Sequence, residues 1–378
     1  MTNVLLLGAG KIGRAIGKFL GHTGDYKVTA ADYSEDAVAR LSDVPNITTQ
    51  TLDVTDNAAL ARAIRGHDAV ISALSFAFNP TVAKTCLEQG ASYFDLTEDI
   101  ATTKAVKKIA KEAVNGQIFM PQCGLAPGFT GIVGNHLAGT LDEIDSVLLR
   151  VGALPLYPTN ALKYNLTWST DGLINEYCNP CEAIHDGKNT EVLPLEGMEH
   201  FSIDGVRYEA FNTSGGLGTL CETLHKKAHT LNYKTVRYPG HRDLAKFLVN
   251  ELKLKDRRDI MKDILENAIP MTLQDVVLVF CTVTGKRKGN LVQISDARKI
   301  YHGIIHGEEW SAIQITTAAG ICTALDLHVT GKLPQKGFVK QEQIKLPDFL
   351  DNRFGQYYEL YNKTPIKVRP LDLVVEES

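Results

Sequence analysis

Several absences narrow this 378-residue chain at once. It has no H-E-x-x-H and no G-x-S-x-G, so neither zinc nor serine hydrolysis has a foothold. One C-x-x-C, Cys178 to Cys181 with His185 nearby, has no second pair to complete a zinc site, and no metal is expected. The seven cysteines are odd in number and scattered through apolar segments. They fit reduced, buried thiols better than a disulfide framework. The net charge of −4 comes without a block of one sign, which argues against nucleic-acid or membrane-surface partners. No apolar run reaches the length of a membrane span, and the N-terminus reads as a core strand rather than a leader. The expected location is therefore the cytoplasm. There are no repeats and no low-complexity segments.

What is present is concentrated in the first thirty-two residues. The apolar run MTNVLLL leads directly into Gly8, Ala9, Gly10, Lys11, Ile12 and Gly13. The next apolar run, KVTAAD, closes on Asp32. Strand, G-x-G-x-x-G turn, helix, strand and terminal acid make the context in which that glycine motif binds a dinucleotide. Gly8 serves the tight turn, Gly10 lets backbone approach a pyrophosphate, and Gly13 lets the helix pack on the sheet. The helix N-terminus supplies free N–H groups and a favourable dipole for the phosphates. Asp32 is placed to accept from the adenosine ribose, and its charge opposes a 2′-phosphate, so the expected cofactor is NAD rather than NADP.

Over residues 1–125 strand-like and helix-like runs alternate, which predicts a doubly wound, parallel α/β sheet of the Rossmann type. Near residue 125 the pattern changes. From 126 to 308 strands dominate, including ALKYNLTWS over 161–169 and NYKTVRY over 232–238, with helices at 131–137, 218–227 and 242–254. This stretch is expected to form an α+β substrate and dimerisation domain. The long apolar helix at 310–329 is expected to bring the 309–378 segment back to complete the first domain, with the charged tail after residue 371 frayed.

In such a sheet the ligand lies across the carboxyl ends of the strands. The candidates there are Asp53 and Val54 for adenine, Ala73 and Leu74 for ribose or nicotinamide, and Gly124 and Leu125 beyond Cys123. Asp95, Glu98 and Asp99 put three carboxylates in five residues, suited to hold an ammonium or move a proton, or else to cap the helix that follows. In the second domain Thr213, Ser214 and Gly215 precede a helix, as a carboxylate cradle would. Arg237 falls on one face of its strand with Tyr233, while Lys234 and Tyr238 share the other; its planar fork suits a carboxylate. Trp168 is a candidate wall of the pocket.

Segments LLLGAGKIG, NPTVAKTCLEQGASYFDLT, CGLAPGF, DSVLLRVGALP, TWSTDGLINEY, FNTSGG and YKTVRYPGH run in order from residue 3 to 241 and resemble the saccharopine dehydrogenase family. The resemblance implies a Rossmann domain completed by the C-terminal segment and a central substrate domain. It implies nicotinamide-dependent oxidation of an amino-acid amine, the ε-amine of L-lysine first and a saccharopine-like secondary amine as the alternative. The alternative needs a second cation, for which Arg150 and Lys163 are available. A non-catalytic NAD-binding regulator is a third possibility. By the same resemblance the substrate carboxylate meets Arg237, Tyr238 and the 213–216 turn, and the reacting carbon lies near residues 123–125 and the Asp95 loop. An open sheet of this kind commonly pairs with its copy, so a homodimer is expected.

Overall fold

A computed structural model describes residues 1–359, and the expected fraying after residue 371 lies outside them. The first unit contains β1 (Thr2–Leu7), α1 (Lys11–Gly21), β2 (Tyr26–Asp32), α2 (Glu35–Ala39), β3 (Ile47–Thr51), α3 (Asn57–Ile64), β4 (Ala69–Ser72), α4 (Asn79–Gln89), β5 (Ser92–Asp95), α5 (Ile100–Ile109) and β6 (Ile118–Met120). There follow α6 (Phe129–Ala138), β7 (Glu143–Pro155), α7 (Thr170–Cys178), β8 (Cys181–His185), β9 (Lys188–Val192), β10 (Glu199–Ile203), β11 (Val206–Asn212) and α8 (Leu220–Leu224). Next come β12 (Ala228–Arg237), α9 (His241–Lys246), α10 (Arg258–Ala268), β13 (Asp275–Arg287) and β14 (Asn290–Tyr301). The described chain closes with β15 (Gly303–Ile305), β16 (Glu308–Trp310), α11 (Ala312–Val329), β17 (Gly337–Phe338) and α12 (Leu346–Leu350).

The first sheet has seven parallel strands in the order β17-β6-β5-β4-β1-β2-β3. Its centre is buried on both faces, as a parallel sheet between helix layers must be. Alternation shows this directly: Val4 and Leu6 of β1 enter one core cluster, Leu5 and Leu7 the other. β17 adds the seventh strand from the far end of the chain, so the C-terminal segment does complete this domain.

α11 anchors that return. By length and composition it is apolar enough to cross a membrane, which corrects the expectation that no segment is. Here it is a core helix, 89% buried, begun by a Ser311–Gln314 capping box. It packs beside α1, where Gln314 donates to the Lys11 carbonyl at 3.2 Å. Lower down, the Tyr26 hydroxyl donates to Asp326. Fully buried side chains such as Ile315, Ile321 and Leu325 each contribute roughly 1.5–3 kcal/mol relative to exposure. Asp275 of β13 accepts from the Ala312 and Ile313 amides, which fastens the second unit to the start of α11.

The second sheet is mixed, with the path β10-β11-β12-β7-β13-β14 and the β8–β9 hairpin on the side of β12. β12 runs parallel to β7; its other neighbours are antiparallel. Residues 161–169 are not a strand. Tyr164 and Leu166 are buried, but so are Asn165 and Thr167 between and after them, and the segment is an irregular strap that leads into α7. The helix expected over 218–227 shrinks to α8, and the one over 242–254 is α9 continued by a π-helical turn, Phe247–Glu251.

Candidate active site

The glycine turn is sterically enforced. Gly8 has φ +93°, and a Cβ there would stand 2.9 Å from the Ala73 carbonyl oxygen. A Cβ on Gly13 would stand 1.8 Å from the Gly8 carbonyl oxygen. Around Gly10, by contrast, nothing among the described residues lies within 4 Å of an added Cβ, and none of their side chains caps the helix it begins. The absence of a side chain there is therefore not required by packing. It leaves an open cradle at a helix N-terminus, which fits a dinucleotide phosphate. Lys11 stands exposed at the first turn and Ile12 faces the interior.

Asp32 ends β2 beside this turn and accepts from the Ala9 amide at 2.7 Å and the Ser34 amide at 2.9 Å. Its neighbours Glu35 and Asp36 add to the negative field. Asp53 sits next to it, because Leu52 N–H bonds the Asp32 carbonyl, and closes its own turn on Thr55. Val54 packs into the core cluster on that face.

The strand ends face a cleft whose opposite wall is the second sheet. The first domain contributes Ile12, Ala73, Leu74, Glu98, Gly124 and Leu125. The second contributes Gly152 of β7, Trp168 before α7, Glu176 of α7, and Tyr233, Thr235 and Arg237 of β12. Gly152 is small for a reason, since a Cβ there would stand 2.6 Å from the Val236 carbonyl oxygen.

Arg237 is the only cationic side chain lining this cleft among the described residues, and it is buried. Its Nε donates to the Tyr177 hydroxyl at 3.1 Å, and Nη1 donates to the Val236 carbonyl at 2.9 Å. Its Cζ lies 4.7 Å from the Tyr164 ring centroid, a cation–π contact. The Tyr177 hydroxyl donates in turn to His241 Nε2 at 2.8 Å, so His241 donates through Nδ1 to the Leu162 carbonyl at 2.7 Å. Burial, reinforced by Arg237, pushes the His241 pKa down to about 3, which keeps it neutral and able to accept. A chain of three side chains thus fixes the guanidinium. Nη2 makes no hydrogen bond among the described residues; its neighbour is the Glu176 carboxylate, 3.9 Å away.

Burial pushes the Glu176 carboxyl up to about 8, with Arg237 opposing the shift and Glu98 adding to it. Burial also raises Glu98, whose Oε1 lacks a hydrogen-bond partner, as does Oε2 of Glu176. Buried Glu176 and Arg237 and half-buried Glu98 therefore share one cleft.

The structure sorts the three acids after β5. Asp99 is a helix cap, accepting from the Thr102 amide at 2.6 Å. Asp95 is wholly buried below the cleft, accepting from Thr97, Gln122 and the Tyr93 hydroxyl, and burial pushes it up to about 6. Only Glu98 faces the cleft. Neither Asp95 nor Asp99 is presented for catalysis.

Three further expectations are corrected. Tyr238 lies on the opposite face of β12, bonded to the Pro155 carbonyl. Cys123 is buried behind Gly124, where its thiol meets the Met120 carbonyl and Gln341. The 213–216 turn is packing rather than an open cradle. Ser214 bonds the Pro180 carbonyl, Gly215 backs onto Glu98 and Gly216 onto the Tyr233 ring. Thr213 is buried beside them. Trp168 does line the cleft, with its Nε1 bonded to the Tyr164 hydroxyl at 2.9 Å. Glu176, Tyr177 and Tyr164 are absent from the sequence candidates. The available signal was a glutamate beside Leu173, Ile174 and Tyr177 in an apolar helical stretch, where an acid is out of place unless used.

Comparison with known proteins agrees with this architecture. The model of the saccharopine dehydrogenase NADP binding domain matches residues 4–120, and that of the saccharopine dehydrogenase C-terminal domain matches residues 124–355. The chain is 28% identical to the saccharopine dehydrogenase (NADP(+), L-glutamate-forming) of Saccharomyces cerevisiae, over 67% of this chain and 59% of that one. It is 24% identical to the mitochondrial alpha-aminoadipic semialdehyde synthase of Mus musculus, over 98% of this chain and 41% of that one. The chain thus spans about half the length of these curated relatives. The apo structure of the yeast saccharopine dehydrogenase superposes with a TM-score of 0.75 at 20% identity, over 92% of this chain and 96% of that one, and so shares the fold. Both domain models, the second covering more than half the sequence, lead to one statement: the chain belongs to the saccharopine dehydrogenase family.

Proposed function

We propose that the protein is an NAD-dependent oxidoreductase that oxidatively deaminates L-lysine at its ε-carbon. The products are the 6-semialdehyde, which cyclises to piperideine-6-carboxylate, and ammonia. The observation that carries this is the charge complement of the cleft: one buried cation, Arg237, and two carboxyl side chains, half-buried Glu98 and buried Glu176. L-lysine presents the inverse, one carboxylate and two ammonium groups. Saccharopine, the substrate named for the yeast relative, carries three carboxylates and would call for further cations. The two candidates for that role are engaged elsewhere. Arg150 is bound to Glu199 and Asn232 on the far face of the sheet, and Lys163 to the Pro239 carbonyl.

Arg237 holds the substrate carboxylate through its free Nη2 edge, a charge-assisted contact in a dry site. Glu176 beside it pairs with the α-ammonium. Glu98, nearer the strand ends, takes a proton from the ε-ammonium and so frees the nitrogen lone pair next to the carbon to be oxidised. Ala73, Leu74, Leu125 and Trp168 keep bulk water away. Bound nicotinamide supplies a two-electron, hydride-accepting group. The preference for NAD rests on Asp32, Glu35 and Asp36, whose charges oppose a 2′-phosphate. The homodimer belongs to the same proposal, supported by the outer face of the second sheet, where Phe201, Tyr238 and Phe280 remain partly exposed. A monomer in sedimentation would remove it.

Purified protein with NAD+ and either L-lysine or saccharopine, followed by nicotinamide absorbance at alkaline pH, tests the activity. Reduction with lysine alone supports the proposal. Reduction with saccharopine alone overturns it in favour of the opine-type alternative.

A further inference from the structure

Glu98 and Glu176 form the wall between two cavities. On their far side, away from the cleft, lies a second hollow of about 300 Å³, ample for a file of waters. Its floor is Glu98, Asn175 and Glu176; its mouth is formed by exposed Ala101, Lys104 and Glu191. The lining carries four carboxylates, with Asp99 the fourth, against one ammonium. Glu176 is buried, with Oε2 unbonded, and Glu98 Oε1 is likewise buried and unbonded. A Cβ on Gly172 of α7 would stand 2.4 Å from the Trp168 ring and 3.2 Å from Glu98 Oε1, so glycine there leaves room first for the indole and then for this carboxyl.

The deamination of L-lysine proposed for the cleft is the premise, and that reaction needs more than a substrate entrance. The iminium must take up water and lose nitrogen: R–CH=NH2+ plus H2O gives R–CHO plus NH4+. The C=N bond breaks and a C=O bond forms, with no net oxidation. Nitrogen leaves carrying the positive charge. While the carbon chain and the cofactor fill the cleft, water and ammonium need another path.

We propose that the side cavity is a cation-selective passage to the reacting end of the substrate, admitting water and discharging ammonium, with the Glu98–Glu176 wall as its inner gate. Carboxylates along such a lining concentrate a small cation and oppose anions. An ammonium released at Glu98 finds its next partners outward, at Asp99 and Glu191, rather than back in the cleft beside Arg237. Lys104 at the mouth limits how long it stays.

Two variants outside the catalytic cleft test this in the full-length protein. Ala101→Trp narrows the mouth, and Glu191→Lys reverses its charge. The expected results are a fivefold or greater fall in kcat for L-lysine with Ala101→Trp, and a three- to tenfold weaker product inhibition by ammonium with Glu191→Lys. KM for L-lysine and Kd for NAD+ stay unchanged in both. Unaltered kcat and unaltered ammonium inhibition overturn the passage. A parent protein silent with L-lysine overturns the function instead, and a crystal soak then decides the cavity separately. Thallium(I), close to ammonium in size and charge, should give an anomalous peak against Glu98 and Glu176 on the side-cavity face. An empty cavity in that map contradicts the passage.

Discussion

Glu176 Oε2 stands 3.9 Å from Arg237 Nη2, near enough to attract and too far to hydrogen-bond. Both groups are buried, so each is left with unused bonding capacity in a medium where it is worth more than in water. A substrate with adjacent carboxylate and ammonium groups satisfies both at once.

Arg237→Lys keeps the charge and removes the planar fork. A charge-assisted hydrogen bond is worth about 1.5–3 kcal/mol, so kcat/KM for the amino acid should fall roughly 10- to 150-fold, chiefly in KM. Arg237→Ala does more, because it also empties the space the guanidinium fills against the Tyr164 and Tyr177 rings and removes the cation that faces Glu176, so a fall in Tm should accompany the loss of binding. Thermal unfolding beside steady-state kinetics separates the two effects. Tyr177→Phe breaks the link from Arg237 Nε to His241 and should cost about tenfold in kcat/KM with the fold intact.

Glu98→Gln removes the proton acceptor of the proposed reaction. Loss of a positioned general base costs about 10²–10⁴ in kcat, and KM should move far less. Burial raises the Glu98 carboxyl, so the parent's rate should increase with pH through a limb above the ordinary carboxylate range. In the glutamine variant that limb should vanish.

Glu176→Gln has a consequence for stability against pH. The Glu176 pKa is raised by folding to about 8, so its neutral form is favoured in the folded protein. The stability it contributes is complete below the unfolded pKa near 4.5 and is lost as pH rises through about 8. The glutamine variant lacks this loss. The difference in Tm between variant and parent should therefore shift in the variant's favour between about pH 5 and pH 8; a flat difference contradicts the buried, unpaired state of this carboxyl.

The glycine turn separates folding from binding. Gly10→Ala places its methyl in open space and should leave Tm within about 1 °C, while weakening NAD+ binding tenfold or more. Gly13→Ala drives a methyl to 1.8 Å from a backbone oxygen and should destabilise the protein itself. Asp32→Ser should weaken NAD+ and improve the relative binding of NADP+, which calorimetry with the two cofactors can measure.

The first domain was legible because its instructions are local. Gly8, Gly10, Gly13 and Asp32 sit within one βαβ unit, and the strand-end position of Glu98 follows from counting along the same alternation. Asp99 shows the limit, since an acid before a helix serves equally as a cap, and here it does. The second half was less legible because its site is assembled across distance. Tyr164, Glu176, Tyr177, Arg237 and His241 come from a strap, a helix, a strand and a following helix. The strap reads as a strand through the apolar alternation of Leu162, Tyr164, Leu166 and Trp168, yet Asn165 and Thr167 are buried as well and no ladder forms. The helix that follows it over Thr170–Cys178 is not among the sequence expectations, and Glu176 is hidden with it. The face of Arg237 is assigned by β-strand alternation, whereas that of Tyr238 could be known only to be the opposite one.

The most direct test of the central claim is the fate of nitrogen label. With NAD+ and L-lysine carrying 15N at the ε-position, the charge match between the cleft and the substrate predicts release of 15N-ammonium in step with NADH. Release of label from lysine carrying 15N at the α-position instead, or none from either while saccharopine is oxidised, would contradict it.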